Sequence, residues 1–197
     1  MSIVLASASP ARAAVLRQAG LDIEIRPARV DEEEIKLSLQ AEGAPPERVA
    51  ETLAELKMRR ASIVGDRRFV IGCDQMLACD GAWFDKPADM DAAREQLRRL
   101  RGKTHHLHAA ITVGRDGGVV WHHVETARMT MRDFSDAFLE RYLEQAGESI
   151  LASVGAYRLE DIGVQLFSRI QGDYFTILGL PLLPLLDFLR ANNELPS

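Results

Sequence analysis

Ile3-Val4-Leu5-Ala6-Ser7-Ala8-Ser9-Pro10-Ala11-Arg12-Ala13-Ala14-Val15-Leu16-Arg17-Gln18-Ala19-Gly20 packs an apolar strand, a serine-rich turn and a capped helix into one short segment. Ile3 to Ala6 read as a short buried strand. Ser9 carries a helix N-cap side chain, Pro10 suits the first helical position, and Gly20 is placed to end the helix. The turn between them aims the hydroxyls of Ser7 and Ser9, backbone amides and the positive end of a helix dipole at one small volume. Arg12, on the first helical turn, can face the same volume. Such a β-turn-α unit is an anion site, and phosphate is a common occupant. The alternative is an ordinary unit whose serines only cap the helix.

Downstream, Asp22 to Ala28 alternate apolar and polar residues, a half-buried strand that Pro27 pushes to a sheet edge. Residues 31–42 are acidic and open with Asp-Glu-Glu-Glu, with Asp31 and Glu32 ending that strand; the alternative is a solvated acidic loop. After Pro45 and Pro46, apolar residues at helical spacing predict a helix to about Val64. Phe69 to Cys79 form an apolar strand, with a turn at Asp80-Gly81 and a short return through Phe84. Asp89 caps a helix ending near Leu100. The stretches 106–113 and 118–131 are two strands joined by a glycine-rich turn at 114–118. Ser135 caps another helix, and residues 180–190 form a closing one. No repeat or low-complexity linker divides the chain, so one domain over 1–197 is expected. The mixture of βα units and hairpins calls for an α/β fold with a mixed sheet.

A length of 197 residues, 47% hydrophobic and 27% charged, suits a folded globular core. The net charge of −5 argues against non-specific nucleic-acid binding, which needs a basic surface. No apolar run approaches the roughly 18 residues of a membrane span, and no secretory signal is visible, so a cytoplasmic protein is expected. Cys73 and Cys79 lie about 20 Å apart along one extended strand, too far for a disulfide, and read as small buried hydrophobes. The five histidines carry no accompanying thiolate, and His105 and His106 point to opposite faces of a strand, which disfavours a zinc site.

Two residue types carry the chemistry. Asp74 interrupts an apolar strand, where a carboxylate is costly unless paired or metal-bound; the alternative is a turn aspartate beyond a shorter strand. Asp31 and Glu32 are placed to bring a second carboxylate to it, and two hard oxygen ligands suit Mg²⁺ that also holds a phosphate chain. The other clue is lysine, of which there are four against twenty arginines. Lysines kept against that bias suit sites needing a compact cation. Lys57 and Lys86 are the candidates, against the alternatives of a solvent-facing helix residue and a loop residue held by Pro87. Lys36 and Lys103 read as surface residues.

Taken in order, LASASPARAAVL, VDE at 30–32, LAELK to Lys57, VIGCDQ to Gln75, DKP at 85–87, GKTH at 102–105, GAYRLED at 155–161 and GDYFTILGLPL at 172–182 resemble the Maf family of nucleoside-triphosphate pyrophosphatases. The resemblance implies an elongated mixed-sheet α/β protein like the inosine-triphosphate pyrophosphatases, with two lobes around a deep cleft, and a homodimer. It implies a divalent cation (Mg²⁺ or Mn²⁺) and cleavage of a nucleoside triphosphate into monophosphate and pyrophosphate. Ser7, Ser9, Arg12, Lys57 and Lys86 would hold the phosphates. Asp74 matches the proton acceptor, and Glu32 an acid at the metal or the attacking water. Ala11, Gln75 and Glu160 stand at positions that choose the base. Gln75 and Glu160 match the subfamily that prefers 7-methyl-GTP rather than dTTP and UTP, while Ala11 departs from both. A carboxylate at 160 can accept from guanine N1–H and its 2-amino group. A different reading is a non-catalytic nucleotide-binding regulator of septum formation. The absence of GxxxxGK[ST] disfavours a P-loop enzyme.

Overall fold

The computed structural model describes residues 3–196. The opening segment folds as its cap chemistry dictates. β1 (Ile3–Leu5) leads through the Ser7–Ser9 turn into α1 (Pro10–Gln18). The Ser9 side chain accepts from the Arg12 N–H. At the other end Gly20, with φ of +81°, receives the chain in the left-handed region. Gly20 N–H donates to Arg17 O and Leu21 N–H to Leu16 O, the two bonds of a Schellman stop.

β2 is only Ile23–Ile25, parallel to β1 and at the sheet edge, as Pro27 requires. The acidic run is not an extension of that strand: Asp31 accepts from the Glu34 N–H and caps α2 (Glu32–Ala41). Three glutamates in its first turn complement the helix dipole. None of its residues is buried, so the helix carries no apolar stripe for a sequence reading to find. α3 (Pro46–Ala61) buries seven residues and stops at Ala61, three short of the expected end, because Ser62 turns into extended backbone.

β3 (Val70–Cys79) pairs parallel with β1 and folds back into β4 (Ala82–Phe84) through Asp80-Gly81. α4 (Met90–Leu100) follows its Asp89 cap. β5 (Thr104–Arg115) is longer than expected at both ends, the hairpin turn being just Asp116-Gly117, both with positive φ, and β6 (Gly118–Met131) has the expected bounds. α5 (Asp136–Ala146) follows its Ser135 cap. Three short 3₁₀ segments lead to β7 (Phe167–Gln171), then α6 (Tyr174–Ile177) and α7 (Leu182–Ala191). The sheet runs β2-β1-β3-β5-β6-β7, with β4 paired to β3, and its mixed directions match the expected α/β class.

The chain forms two compact units: residues 3–75, 108–125 and 173–196, and residues 76–107 and 126–172. In the first, side-chain alternation sorts the strands. Ile3, Leu5, Ile71 and Cys73 pack with Leu16 of α1 and Leu185 and Leu189 of α7. Val4, Ala6 and Val70 pack on the opposite face with Met58 and Ala61 of α3. Gly72 lies under α3 so closely that a Cβ there would stand 2.0 Å from Ala54 O. In the second unit, His105 is fully buried with Nε2 at 2.7 Å from Tyr157 Oη, and both rings pack on Phe167. No helix among the described residues is long and apolar enough to cross a membrane.

Candidate active site

β1 is the point where the strand order reverses: β2 lies on one side of it, β3 on the other, and α1 and α3 cover opposite faces. In open α/β sheets ligands bind beyond the carboxyl ends of strands at such a point. The Ser7–Ser9 turn occupies that position. Ala6 N–H donates to Ile71 O, which sets the turn beside Cys73, Asp74 and Gln75 of β3.

Parity then fixes what each residue of β3 can reach. Asp74 follows Val70 and Gly72 on the α3 face, where Lys57 comes down from α3. Lys57 Nζ lies 2.5 Å from Asp74 Oδ1 and 2.7 Å from Glu32 Oε1. Asp74 is 5% and Lys57 8% exposed. Asp74 is therefore a core-strand carboxylate and not a turn residue, and Lys57 is not a solvent-facing one. Glu32 reaches the pair from the first residue of α2. The two carboxylates meet at one cation, so two negative charges face a single positive one.

Cys73 and Gln75 belong to the other face. Arg12 Nη1 donates to Cys73 O at 2.9 Å and to Ser7 Oγ at 3.4 Å, while its Nε donates to Gly179 O at 2.9 Å. Among the described residues Nη2 makes no hydrogen bond. Ser7 Oγ also accepts from the Ser9 N–H. The arginine thus ties α1, β3 and the segment after α6 into one piece. Cys73 itself is sealed in the core, and burial pushes its thiol up to about 11, which keeps it an inert apolar filler.

The motif Gly172 to Leu182 folds as a built-in stop. Asp173 Oδ1 accepts from the Phe175 and Thr176 N–H groups and caps α6. Gly179, with φ of +88°, closes a second Schellman turn: its N–H donates to Thr176 O and that of Leu180 to Phe175 O. The Gln75 side chain donates to Thr176 O and Ile177 O at 3.0 and 3.1 Å. A Cβ on Gly179 would stand 3.2 Å from Arg12 Nη2, which is why glycine sits there.

Eight of the sequence candidates therefore lie in the first unit. Ser7, Ser9 and Arg12 are joined by hydrogen bonds and Glu32, Lys57 and Asp74 by ion pairs, Gln75 follows Asp74 on β3, and half-buried Ala11 lies between Pro10 and Arg12. Lys86 and Glu160 belong to the second unit. Lys86 is exposed on the β4–α4 loop, and Glu160 accepts from Arg158 Nε at 3.1 Å. The histidines go to separate partners: His105 to Tyr157, His108 Nδ1 to Glu47 at 3.1 Å, and His122 Nδ1 to Glu51 at 3.2 Å. Among the described residues no group of three His, Cys, Asp or Glu side chains converges, so Asp74 and Glu32 stand as a pair. Sequence reasoning missed Thr176 and Glu125, whose side chains bond to each other beside Gln75. Only the spacing of the Gly-Asp-Tyr-Phe-Thr motif hinted at a built turn.

The arrangement sets a hydroxyl-lined turn at a helix N-terminus on the same strand pair as a buried carboxylate, Asp74, which shares Lys57 with a half-exposed one, Glu32. The profile of the Maf-like protein family matches residues 2–192. The chain is 58% identical over 192 residues to a nucleoside triphosphate pyrophosphatase of Paramagnetospirillum magneticum, covering 98% of this chain and 99% of that one. It is 49% identical over 190 residues to a 7-methyl-GTP pyrophosphatase of Brucella abortus, covering 96% of each. A HAM1 protein structure from Coxiella burnetii aligns at a TM-score of 0.41 and 15% identity, over 68% of this chain and 74% of that one. With the family match running almost end to end and relatives at half identity or better over whole chains, this protein belongs to the Maf family.

Proposed function

We propose that this protein hydrolyses nucleoside triphosphates at the α-phosphorus, releasing the monophosphate and pyrophosphate, with a divalent cation held by Asp74 and Glu32. The observation that carries the reading is the meeting of these two carboxylates on Lys57 at the middle of β3, one residue past the Cys73 carbonyl that Arg12 binds. The names of the relatives point the same way.

The donor set fits Mg²⁺ or Mn²⁺, which take one or two carboxylates and complete their shell with water and phosphate oxygens. When bound, such a cation neutralises phosphate charge and stabilises the departing pyrophosphate. The chain's own residues do the rest. The Ser7 hydroxyl, the turn amides and Arg12 Nη2 grip phosphate oxygens. Asp74 takes the proton from the attacking water as the O–Pα bond forms. The Pα–O bond to the β-phosphate breaks, and the electron pair leaves with pyrophosphate. Lys57, 2.5 Å from Asp74 Oδ1, orients that carboxylate before the proton is taken.

For the base we propose modified or purine nucleotides such as 7-methyl-GTP over dTTP and UTP, because the residue types at 75 and at 160 are those of the subfamily that prefers 7-methyl-GTP. The family resemblance also supports a homodimer acting in the cytoplasm. The test is a turnover screen of about a dozen canonical and modified triphosphates with Mg²⁺ and with chelator. Chelator-sensitive pyrophosphate release, greatest for modified or purine nucleotides, is expected. Nucleotide binding with no pyrophosphate from any of them would leave a non-catalytic regulator instead.

A further inference from the structure

Three acceptors fix the plane of the Arg12 guanidinium: Gly179 O, Cys73 O and Ser7 Oγ. Cys73 O is held by the sheet, and Ser7 by the turn that Arg12 itself follows. Gly179 O is different. It belongs to the 173–179 turn, and it stands only where that turn is pinned. Thr176 is the pin. Its carbonyl accepts from the Gly179 N–H and from the Gln75 side chain, each at 3.0 Å. Its hydroxyl donates to Glu125 Oε2 at 2.8 Å. Thr176 is fully buried, so no water can replace that carboxylate, and losing it would strand a buried donor. Glu125 is half-buried on β6, with His123 Nε2 4.0 Å from the same oxygen. Among the described residues it makes no hydrogen bond to Arg12 or to the Ser7–Ser9 turn. Its path to the arginine runs through the Thr176 hydroxyl, the Thr176 carbonyl and Gly179.

We infer that Glu125 is a positioning residue for phosphate binding: through Thr176 it locks the 173–179 turn, and so sets the Gly179 carbonyl that orients Arg12. The ligand class is a polyphosphate chain, whatever base or sugar it carries. This inference rests on the hydrolase reading of the Arg12 site and goes beyond it by giving a part to a residue outside that site.

The test measures binding of inorganic tripolyphosphate with Mg²⁺ by calorimetry, beside steady-state kinetics on GTP. Tripolyphosphate has no base, so base selection cannot enter the comparison. Glu125→Ala is expected to weaken its binding by about tenfold or more, the worth of one hydrogen bond to a charged group. KM for GTP should rise in step, with kcat within about twofold of wild type. Thr176→Val should give the same loss, and Glu125→Gln, which keeps an oxygen for Thr176, should restore affinity to within about twofold. In an Arg12→Lys background Glu125→Ala should change nothing further, because both act through one guanidinium. Thermal melts of each variant establish that it is folded. Unchanged tripolyphosphate affinity in folded Glu125→Ala, or an undiminished loss in the Arg12→Lys background, would overturn the inference and leave the hydrolase reading intact. Wild-type protein that binds tripolyphosphate but cleaves no nucleoside triphosphate would remove the hydrolase reading, while the affinity comparison still decides the inference.

Discussion

Lys57 Nζ sits 2.5 Å from Asp74 Oδ1, with both side chains buried where α3 covers the middle of β3, and Glu32 closes the triad from outside. A buried lysine and carboxylate so placed give each other the partner that burial demands.

Replacing Asp74 by Asn keeps size and a hydrogen-bond acceptor but removes the charge and the proton-accepting oxygen. Pyrophosphate release is expected to fall at least about a hundredfold, the usual worth of a general base. Circular dichroism should be unchanged. Turnover near wild type would remove Asp74 from the chemistry.

Lys57→Met leaves Asp74 and Glu32 facing each other. The apo variant is expected to lose roughly 2–4 kcal/mol of stability, because a buried charge loses its partner. Mn²⁺ without nucleotide should bind the variant more tightly than wild type, since the internal competitor is gone, and should restore its melting temperature. Electron paramagnetic resonance measures the first effect and calorimetry the second. Unchanged Mn²⁺ affinity would mean that the two acids are not a metal pair.

Gly20 and Gly179 make a matched pair of left-handed positions. A Cβ at Gly20 meets nothing within 4 Å, whereas one at Gly179 meets Arg12 at 3.2 and 3.3 Å. Gly20→Ala should cost only backbone strain, about 1 kcal/mol, with activity retained. Gly179→Ala adds displacement of Arg12, so kcat/KM should fall as well. Denaturant titration and steady-state kinetics separate the two; equal activity in both variants would deny Arg12 its role.

His105 is buried with Nδ1 unpartnered, and burial holds its pKa down to about 3. The unfolded chain takes up this proton near pH 6.5 while the folded one does not, so stability is intact above that value and is lost as pH falls from 6.5 toward 3. At pH 5 the loss is about 2 kcal/mol, from 1.36 kcal/mol per unit. His105→Phe should flatten the slope between pH 7 and pH 5 in urea titrations, and an unchanged slope would place its origin elsewhere.

What the sequence made legible is local chemistry. Ser9, Pro10 and Gly20 announce α1 because caps act within a few residues. Asp74 stands out because a carboxylate in an apolar run needs a partner. α2 is hidden because it buries nothing: Asp31 and the dipole start it, with no apolar period to reveal it. Lys57 drew notice by its rarity, but its two partners follow from strand parity and from α2, which the pattern lacked. The fixing of Gln75 depends on Thr176, 101 residues away, and no local signal carries that.

If water attacks the α-phosphorus under the control of Asp74 and Glu32, as proposed, turnover of GTP in ¹⁸O-water labels one product alone, and mass spectrometry of both products reads which. One ¹⁸O atom in the nucleoside monophosphate and none in pyrophosphate is the predicted result. Label in pyrophosphate, or release of orthophosphate and a nucleoside diphosphate, would contradict it.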